Sequence, residues 1–291
     1  MTTRTRFAPS PTGPLHLGHA YAALVASDLA RAAGGEFLLR IEDIDRSRAR
    51  RHWEAQIHDD LHWLGLSWPE PVMRQSERLS AYQDHLASLW QKGLLYPCTC
   101  NRRDIQAALS APQEGAPMLG PDGLVYPGTC RHRHDRTGPM PADVALRLDM
   151  ALALERIGGA SLEFNETGPL RDDIQTTWTA AEMRSNVGDV VLSRKEMGTS
   201  YHLSVVVDDH AQGISLVTRG ADLAEATGIH LLLQRLMGLS SPRYHHHRLI
   251  RDEAGKRLAK RDDARAIAAY RAEGATPADV LAMIGLTRSA A

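Results

Sequence analysis

Long apolar runs are missing from this chain. No stretch reaches the roughly eighteen apolar residues that a membrane-crossing helix needs, and the N-terminus has neither the apolar segment nor the small-residue cleavage site of a signal peptide. The expectation is a cytoplasmic protein with no membrane association. Cysteine is scarce as well: Cys98, Cys100 and Cys130 are odd in number and clustered, which argues against a disulfide framework and for a metal site or reduced thiols. Charge of one sign is lacking, with a net charge of -1. That balance neither demands nor excludes a nucleic-acid partner, because the placement of basic residues decides such binding. What is present is 291 residues with 43% hydrophobic content, enough to bury a sizeable core in one large domain or two modest ones.

Local patterning gives an order of elements. Thr3 to Phe7 reads as a strand, the alanine-rich run from Gly18 as a helix closed by Gly34 and Gly35, and Glu36 to Ile41 as a second strand. Strand, loop, helix and strand make a βαβ unit, which belongs to a parallel sheet with ligands at the C-terminal ends of its strands. Trp53, Ile57, Leu61 and Leu64, then Leu79, Tyr82, Leu86 and Leu89, have helical spacing and place their aromatics in the core. From Tyr96 to Met140 the chain turns rich in proline, glycine and arginine; strand-like runs follow at Val144–Leu148, Leu162–Phe164 and Val190–Leu192. This stretch reads as an insertion that splits the sheet. A buried strand is expected at Tyr201–Val207, another at Ile214–Thr218, and a helix from Asp222 to Met237. Past Pro242 a basic, helical tail is expected.

The loop after the first strand, Phe7-Ala-Pro-Ser-Pro-Thr-Gly-Pro-Leu-His-Leu-Gly-His19, lacks both common phosphate cradles, GxGxxG and GxxxxGK[ST]. Its prolines stiffen it, Gly13 and Gly18 allow close backbone approach, and the helix start offers N–H groups to an anion. His16 and His19 bracket that position. A packed histidine beside a solvated one is the competing reading of an isolated HxxH pair.

Here the chain resembles the class I aminoacyl-tRNA synthetases of the glutamyl type, whose HIGH signature is written His16-Leu-Gly-His19. The resemblance continues in order through Arg40-Ile-Glu-Asp-Ile-Asp-Arg, Tyr201-His-Leu-Ser-Val-Val-Val-Asp-Asp, Val217-Thr-Arg-Gly-Ala-Asp-Leu and Gly255-Lys-Arg-Leu-Ala-Lys-Arg. It implies an α/β fold with the Rossmann-type parallel sheet of the class I catalytic domain, a zinc-bearing insertion and a short C-terminal helical segment. The implied organisation is 1–95 for the first half of the catalytic domain, 96–195 for the insertion, 196–240 for the second half and 241–291 for a helical segment with the lysine-rich loop. It also implies ATP with Mg2+ as substrate, His16, Gly18, His19 and Lys260 at the ATP phosphates, and catalysis by His16, His19 and Lys260. The KMSKS signature of the family falls on Arg257-Leu-Ala-Lys-Arg261, where Ala259 replaces a serine and cannot hydrogen-bond. A solvated basic turn is the alternative reading of that segment.

The resemblance places L-glutamate on Arg6, Ser10, Glu42, Tyr201 and Arg219. Their chemistry is suitable: a guanidinium fork, from Arg6 or Arg219, meets a side-chain carboxylate, and Glu42 meets the ammonium. A surface ion pair with Arg46, Arg48 or Arg50 competes for Glu42. For zinc, Cys98, Cys100 and Cys130 supply three thiolates and a fourth ligand is needed. Ligand chemistry alone nominates His132 or His134, whereas the resemblance nominates Tyr126, in Tyr126-Pro-Gly-Thr-Cys130; free buried thiols are the alternative.

Within the family the chain is similar to a short branch without the anticodon-reading domain, since it stops thirty residues after Arg261. That branch activates glutamate without tRNA and esterifies it to queuosine in the anticodon of tRNA(Asp). The partners so implied are L-glutamate, ATP and queuosine-modified tRNA(Asp), and the expected state is a monomer. Arg102, Arg103, Arg131 and Arg133 would face the RNA, a solvated basic face being the alternative reading. A truncated enzyme charging tRNA(Glu), an HxGH small-molecule nucleotidyltransferase and a non-catalytic RNA-binding paralogue are the competing readings.

Overall fold

A computed structural model describes residues 2–109, 119–133, 135–170, 172–251 and 265–287. The first half holds β1 (Arg4–Phe7), α1 (Leu17–Ala32), β2 (Glu36–Ile41), α2 (Arg51–Trp63), β3 (Met73–Arg74) and α3 (Leu79–Gln91). β1, β2 and β3 form one parallel sheet in that order, with Arg4 opposite Glu36 and Arg40 opposite Met73. α1 forms because its alanines and leucines give a strong helix former with one apolar face. Ala20, Leu24, Ala26 and Ala30 are buried in it, and the Thr5 hydroxyl donates to the Ala26 carbonyl at 2.8 Å.

The insertion follows with β4 (Leu95–Cys98), α4 (Arg102–Leu109), the hairpin β5 (Leu119–Gly120) and β6 (Gly123–Leu124), β7 (Ala145–Leu148), α5 (Met150–Arg156), β8 (Leu162–Glu163), β9 (Thr177–Trp178), α6 (Ala180–Glu182) and β10 (Val191–Ser193). β4, β7 and β10 pair antiparallel, unlike the sheet they interrupt. Asp189 organises this region, accepting from the Met150 amide at 2.9 Å, from Arg131 at 2.8 Å and from the Tyr96 hydroxyl. Arg131 is thereby tied to a buried carboxylate, with its side chain still 30% exposed. Arg103 and Arg133 are exposed, and the Arg102 side chain and His134 lie outside the described residues.

The second half contains α7 (Tyr201–Ala211), β11 (Leu216–Gly220), α8 (Thr227–Met237) and β12 (Arg243–His247), followed by α9 (Ile267–Ala272) and α10 (Pro277–Met283). Two expectations are corrected here. The run from Tyr201 is a helix, not a strand; every residue from His202 to Asp209 is buried, so the alternation of polar and apolar faces that marks an ordinary helix is absent. The stretch after Pro242 opens with a strand, not a helix, and β12 runs parallel to β11 with Leu216 opposite Arg243 and Gly220 opposite His247. The helix expected from Asp222 begins at Thr227. The two parallel sheets meet where the Ser215 amide donates to the Arg4 carbonyl at 3.0 Å.

The acids of α7 tie the halves together. Asp208 accepts from Gln75, Arg78 and Tyr82 at 3.0, 2.6 and 2.7 Å, and Asp209 accepts from Arg6 and Arg40. No described helix is long and apolar enough to cross a membrane.

Asp60 on α2 is the exception to this pairing. It is fully buried, and among the described residues neither carboxyl oxygen has a hydrogen-bond partner. Burial, with Asp59 beside it, pushes its pKa up to about 6. The folded state therefore binds this proton more tightly than the unfolded chain, so stability falls as pH rises from about 4 to about 6, with a slope of at most about 1.4 kcal/mol per pH unit. Asp60→Asn should remove that slope: the variant's advantage in thermal unfolding grows over this window and is flat above it. A constant difference between the proteins from pH 4 to pH 7 would contradict the assignment.

Candidate active site

The loop after β1, Glu42 after β2, and Asp222 after β11 all stand at C-terminal strand ends, where an open parallel sheet places its ligands. His16 is the N-cap of α1. Its Nδ1 accepts from the Gly18 amide at 3.1 Å, and the His16 amide donates to His19 Nδ1 at 3.1 Å. The two rings lie 3.7 Å apart between centroids. Gly18 suits this cap, because a Cβ there would lie 3.0 Å from the His16 ring and press on it. Sequence reasoning left the first amides of α1 to an anion. Instead the Gly18 amide is taken by the His16 ring, and the His19 and Ala20 amides by the His16 carbonyl. With each Nδ1 accepting, each neutral ring carries its hydrogen on Nε2, so both histidines present a donor rather than a base.

A cavity of about 450 Å3 is lined by Ser10, Glu42, Gln75, Asp122, Tyr201 and His202 among others. Three of the residues expected at glutamate thus line one cavity; Arg6 and Arg219 are buried and are not among its lining residues, but both lie close enough to Tyr201, which is, to act on it electrostatically. Glu42 lies 3.4 Å from Arg40 Nη2 and forms no pair with Arg46, Arg48 or Arg50. Those arginines are turned to Ser76, Asp45 and Ala49 respectively. Burial pushes the Glu42 pKa up, and Arg40 and Arg6 oppose it.

The two candidate guanidinia differ in their partners. Arg6 is held by both oxygens of Asp209, at 2.9 and 3.2 Å, and donates to the Thr218 carbonyl at 3.0 Å. Arg219 contacts no carboxylate among the described residues: Nε donates to His246 Nε2 at 3.0 Å, Nη1 to His230 Nδ1 at 3.0 Å and Nη2 to Thr227 Oγ1 at 2.5 Å. Three of its five hydrogens are occupied by neutral acceptors, leaving one on each Nη. Asp209, Arg40, His230 and His246 carry no expected role from sequence alone. Arg40 and Asp209 lie inside two of the segments that carry the family resemblance, and His246 lies in the run His245–His247.

In the insertion, Cys98, Cys100 and Cys130 bring their sulfur atoms within 4.8 Å of one another. A tetrahedral zinc thiolate site needs sulfurs about 3.8 Å apart, and Cys100 and Cys130 stand at 3.5 Å. The Tyr126 hydroxyl lies 3.4 Å from both Cys98 and Cys100 sulfurs and accepts from the Cys130 amide at 2.9 Å. His132 is exposed and lines a different cavity, with Asp135 and Asp149. Arg147 supports the cluster, its Nε 3.2 Å from Cys98 Sγ and its guanidinium 3.8 Å from the Tyr126 ring centre. Although burial opposes it, hydrogen bonds led by that from Tyr126 lower the Cys130 pKa to about 6, which favours a thiolate. The three thiols could bind a metal ion.

Arg257, Ala259, Lys260 and Arg261 lie outside the described residues. The chain beyond them is fastened to the histidine loop, with Ala266 bridged to His16 and the Ile267 amide donating to the Leu15 carbonyl at 2.8 Å.

Comparison with known proteins gives the family. The family model of tRNA synthetases class I (E and Q), catalytic domain, matches residues 2–135 and 160–289. A protein named glutamyl-Q tRNA(Asp) synthetase from Rhodobacter capsulatus is 64% identical over 97% of this chain and 99% of its own length. One of the same name from Nocardia farcinica is 41% identical over 96% of this chain and 82% of its own. The solved structure of a glutamate tRNA ligase from Elizabethkingia meningosepticum in complex with its amino acid matches with a TM-score of 0.72 and 25% identity, over 98% of this chain. The chain spans 60% of that ligase's length. With its parallel sheet, histidine-capped loop and antiparallel insertion, the chain belongs to the class I tRNA synthetases of the E and Q type and is a ligase of that family.

Proposed function

We propose that the protein activates L-glutamate with ATP and Mg2+ in the absence of tRNA, and transfers the glutamyl group to queuosine in the anticodon of tRNA(Asp). The observation that carries the activation step is the pairing of a cavity lined by Ser10, Glu42 and Tyr201 with an arginine whose charge no protein carboxylate neutralises. Glutamate fits: its ammonium meets Glu42, its side-chain carboxylate meets Arg219, and Tyr201 forms a wall with its hydroxyl. Arg6 acts one step back, holding Asp209.

In the chemical step a glutamate α-carboxylate oxygen attacks the α-phosphorus of ATP, and the bond to pyrophosphate breaks. Nε2–H of His16 and of His19 would stabilise charge on the phosphates as it builds. Lys260 joins them in this reading; it stands six residues before Ala266, so the chain between them can span at most about 20 Å. A queuosine hydroxyl then attacks the activated carbonyl and AMP leaves. The names of the relatives, one matched over 99% of its length, support the queuosine acceptor over terminal charging of tRNA(Glu).

The reading of the insertion is structural zinc held by Cys98, Cys100, Cys130 and Tyr126. Metal analysis of protein purified without chelator should find about one zinc per chain, and Tyr126→Phe should weaken retention about 10-fold or more. Less than about half an equivalent in the parent protein would count heavily against the site. Activation itself is tested by ATP–pyrophosphate exchange. Glutamate should drive exchange with no tRNA present, and exchange that appears only on adding tRNA would overturn the tRNA-independent step.

A further inference from the structure

Arginine donates and never accepts, so the hydrogen bonds around Arg219 have only one possible direction. On one side, Arg219 Nε points at His246 Nε2, which must be the bare nitrogen. His246 therefore carries its hydrogen on Nδ1 and donates it to Glu166 Oε2, which lies at short hydrogen-bond range. On the other side, Arg219 Nη1 points at His230 Nδ1, so His230 carries its hydrogen on Nε2 and donates to His202 Nδ1 at 3.1 Å. His202 in turn must carry its hydrogen on Nε2, and donates to Asp122 Oδ1 at 3.1 Å. Both chains end on a carboxylate, and neither carboxylate touches the arginine.

Glu166 is built into its place. Oε1 accepts from the Gly168 amide at 2.6 Å and the His246 amide at 2.9 Å. A Cβ at position 168 would lie 2.5 Å from the His246 carbonyl oxygen and 2.7 Å from Glu166 Oε1, so glycine is required there. Those bonds hold the Glu166 carboxyl below its usual range although burial opposes them, and burial keeps His246 and His230 neutral. Asp122 differs: it sits in the turn between β5 and β6, partly exposed, and lines the cavity of Ser10 and Glu42.

We infer that Glu166, through His246, and Asp122, through His202 and His230, are positioning residues that fix the histidine tautomers around Arg219, so that this arginine selects an acid over an amide side chain. The inference rests on the placement of glutamate at Arg219 proposed above. A carboxylate directly on Arg219 would compete with a ligand for its fork, as Asp209 occupies that of Arg6. Neutral histidines instead fix the fork while leaving its charge and one hydrogen on each Nη for a ligand. A carboxylate accepts both; an amide has one acceptor, and its N–H would face an N–H of the arginine.

The test is Glu166→Gln, Glu166→Asp and Asp122→Asn, assayed by exchange with glutamate and with glutamine. Glu166→Gln lets the side-chain amide donate to His246, which favours the wrong tautomer. Its KM for glutamate should rise about 10-fold or more, with kcat and the KM for ATP near those of the parent, and with preference for glutamate over glutamine reduced. Asp122→Asn should move the same quantities less, about threefold, because its end of the chain is wetter and one histidine longer. Glu166→Asp should restore part of the loss. Unchanged glutamate KM in Glu166→Gln, a parallel loss in kcat and both KM values, or no rescue by aspartate would overturn the inference. Nitrogen-15 histidine NMR reads the tautomers without substrate: His246 should be the Nδ1–H form and His230 the Nε2–H form, and His246 should change in Glu166→Gln. Those forms without glutamate-driven exchange in the parent would place the failure in the proposed substrate; the opposite tautomers would sink the positioning role itself.

Discussion

Glutamate-dependent pyrophosphate exchange falls by about two orders of magnitude or more when His19 is replaced by asparagine, while thermal stability changes little. The separation follows from the two nitrogens of the ring. Nδ1 accepts from the His16 amide and closes the cap of α1, and the asparagine carbonyl oxygen can occupy a similar position. Nε2–H has no counterpart in asparagine, and a preorganised donor aimed at developing charge is worth about 10²–10³ in rate. Glutamine, whose amide reaches nearer the Nε2 position, should retain more exchange than asparagine and less stability. If asparagine exchanges at near-parent rates, the histidine pair is only a helix cap. Circular dichroism and thermal unfolding of each variant keep a folding defect apart from a catalytic one.

Changing Arg219 to alanine should lower kcat/KM for glutamate about 10²–10³-fold, equivalent to about 3–4 kcal/mol, with the KM for ATP within about threefold of the parent. The loss comes from a charge-assisted fork that no other residue can replace: Arg6, the other candidate, is engaged by Asp209. Lysine at 219 should rescue poorly, because one ammonium cannot bond His246, His230, Thr227 and a carboxylate in the same plane. Arg6→Ala has a different signature. It strands the buried Asp209 beside Arg40 and should appear first as lost stability, about 3–5 kcal/mol by denaturant unfolding. Equal effects of the two substitutions on glutamate KM and on stability would contradict the division of labour drawn here.

The features legible in the sequence were those with local signals. The proline-rich loop and its histidine pair announced a strand-to-helix junction, and the βαβ unit is where the residue pattern placed it. The thiol cluster was readable because three cysteines in an otherwise cysteine-poor chain have few alternative uses. The two misread elements have different causes. α7 is buried on every side, so its valines look like a strand, and β12 is written in histidines, whose apolar faces carry no strand signature although Tyr244 and His246 alternate inward. The charge partners were invisible for another reason: Arg6 and Asp209 are 203 positions apart, and Glu166 and His246 are 80 apart. A basic residue such as Arg131 reads the same in sequence whether it faces RNA or a buried Asp189. Only the fold brings such pairs together, and in doing so it distinguishes an arginine with its charge cancelled from one with its charge available.

The central claim is that glutamate, once activated, goes to the anticodon rather than to the 3′ end, and mapping the label on tRNA tests it most directly. Protein, ATP and radiolabelled glutamate are incubated with tRNA from cells that make queuosine and from cells that do not, each with and without periodate treatment that destroys the terminal ribose diol. The products are then cut into fragments by nuclease. The account predicts label only in queuosine-containing tRNA(Asp), within the anticodon fragment, and no acceptance by queuosine-lacking tRNA after periodate. Label at the 3′ end of tRNA(Glu), with none in the anticodon fragment of tRNA(Asp), would contradict it.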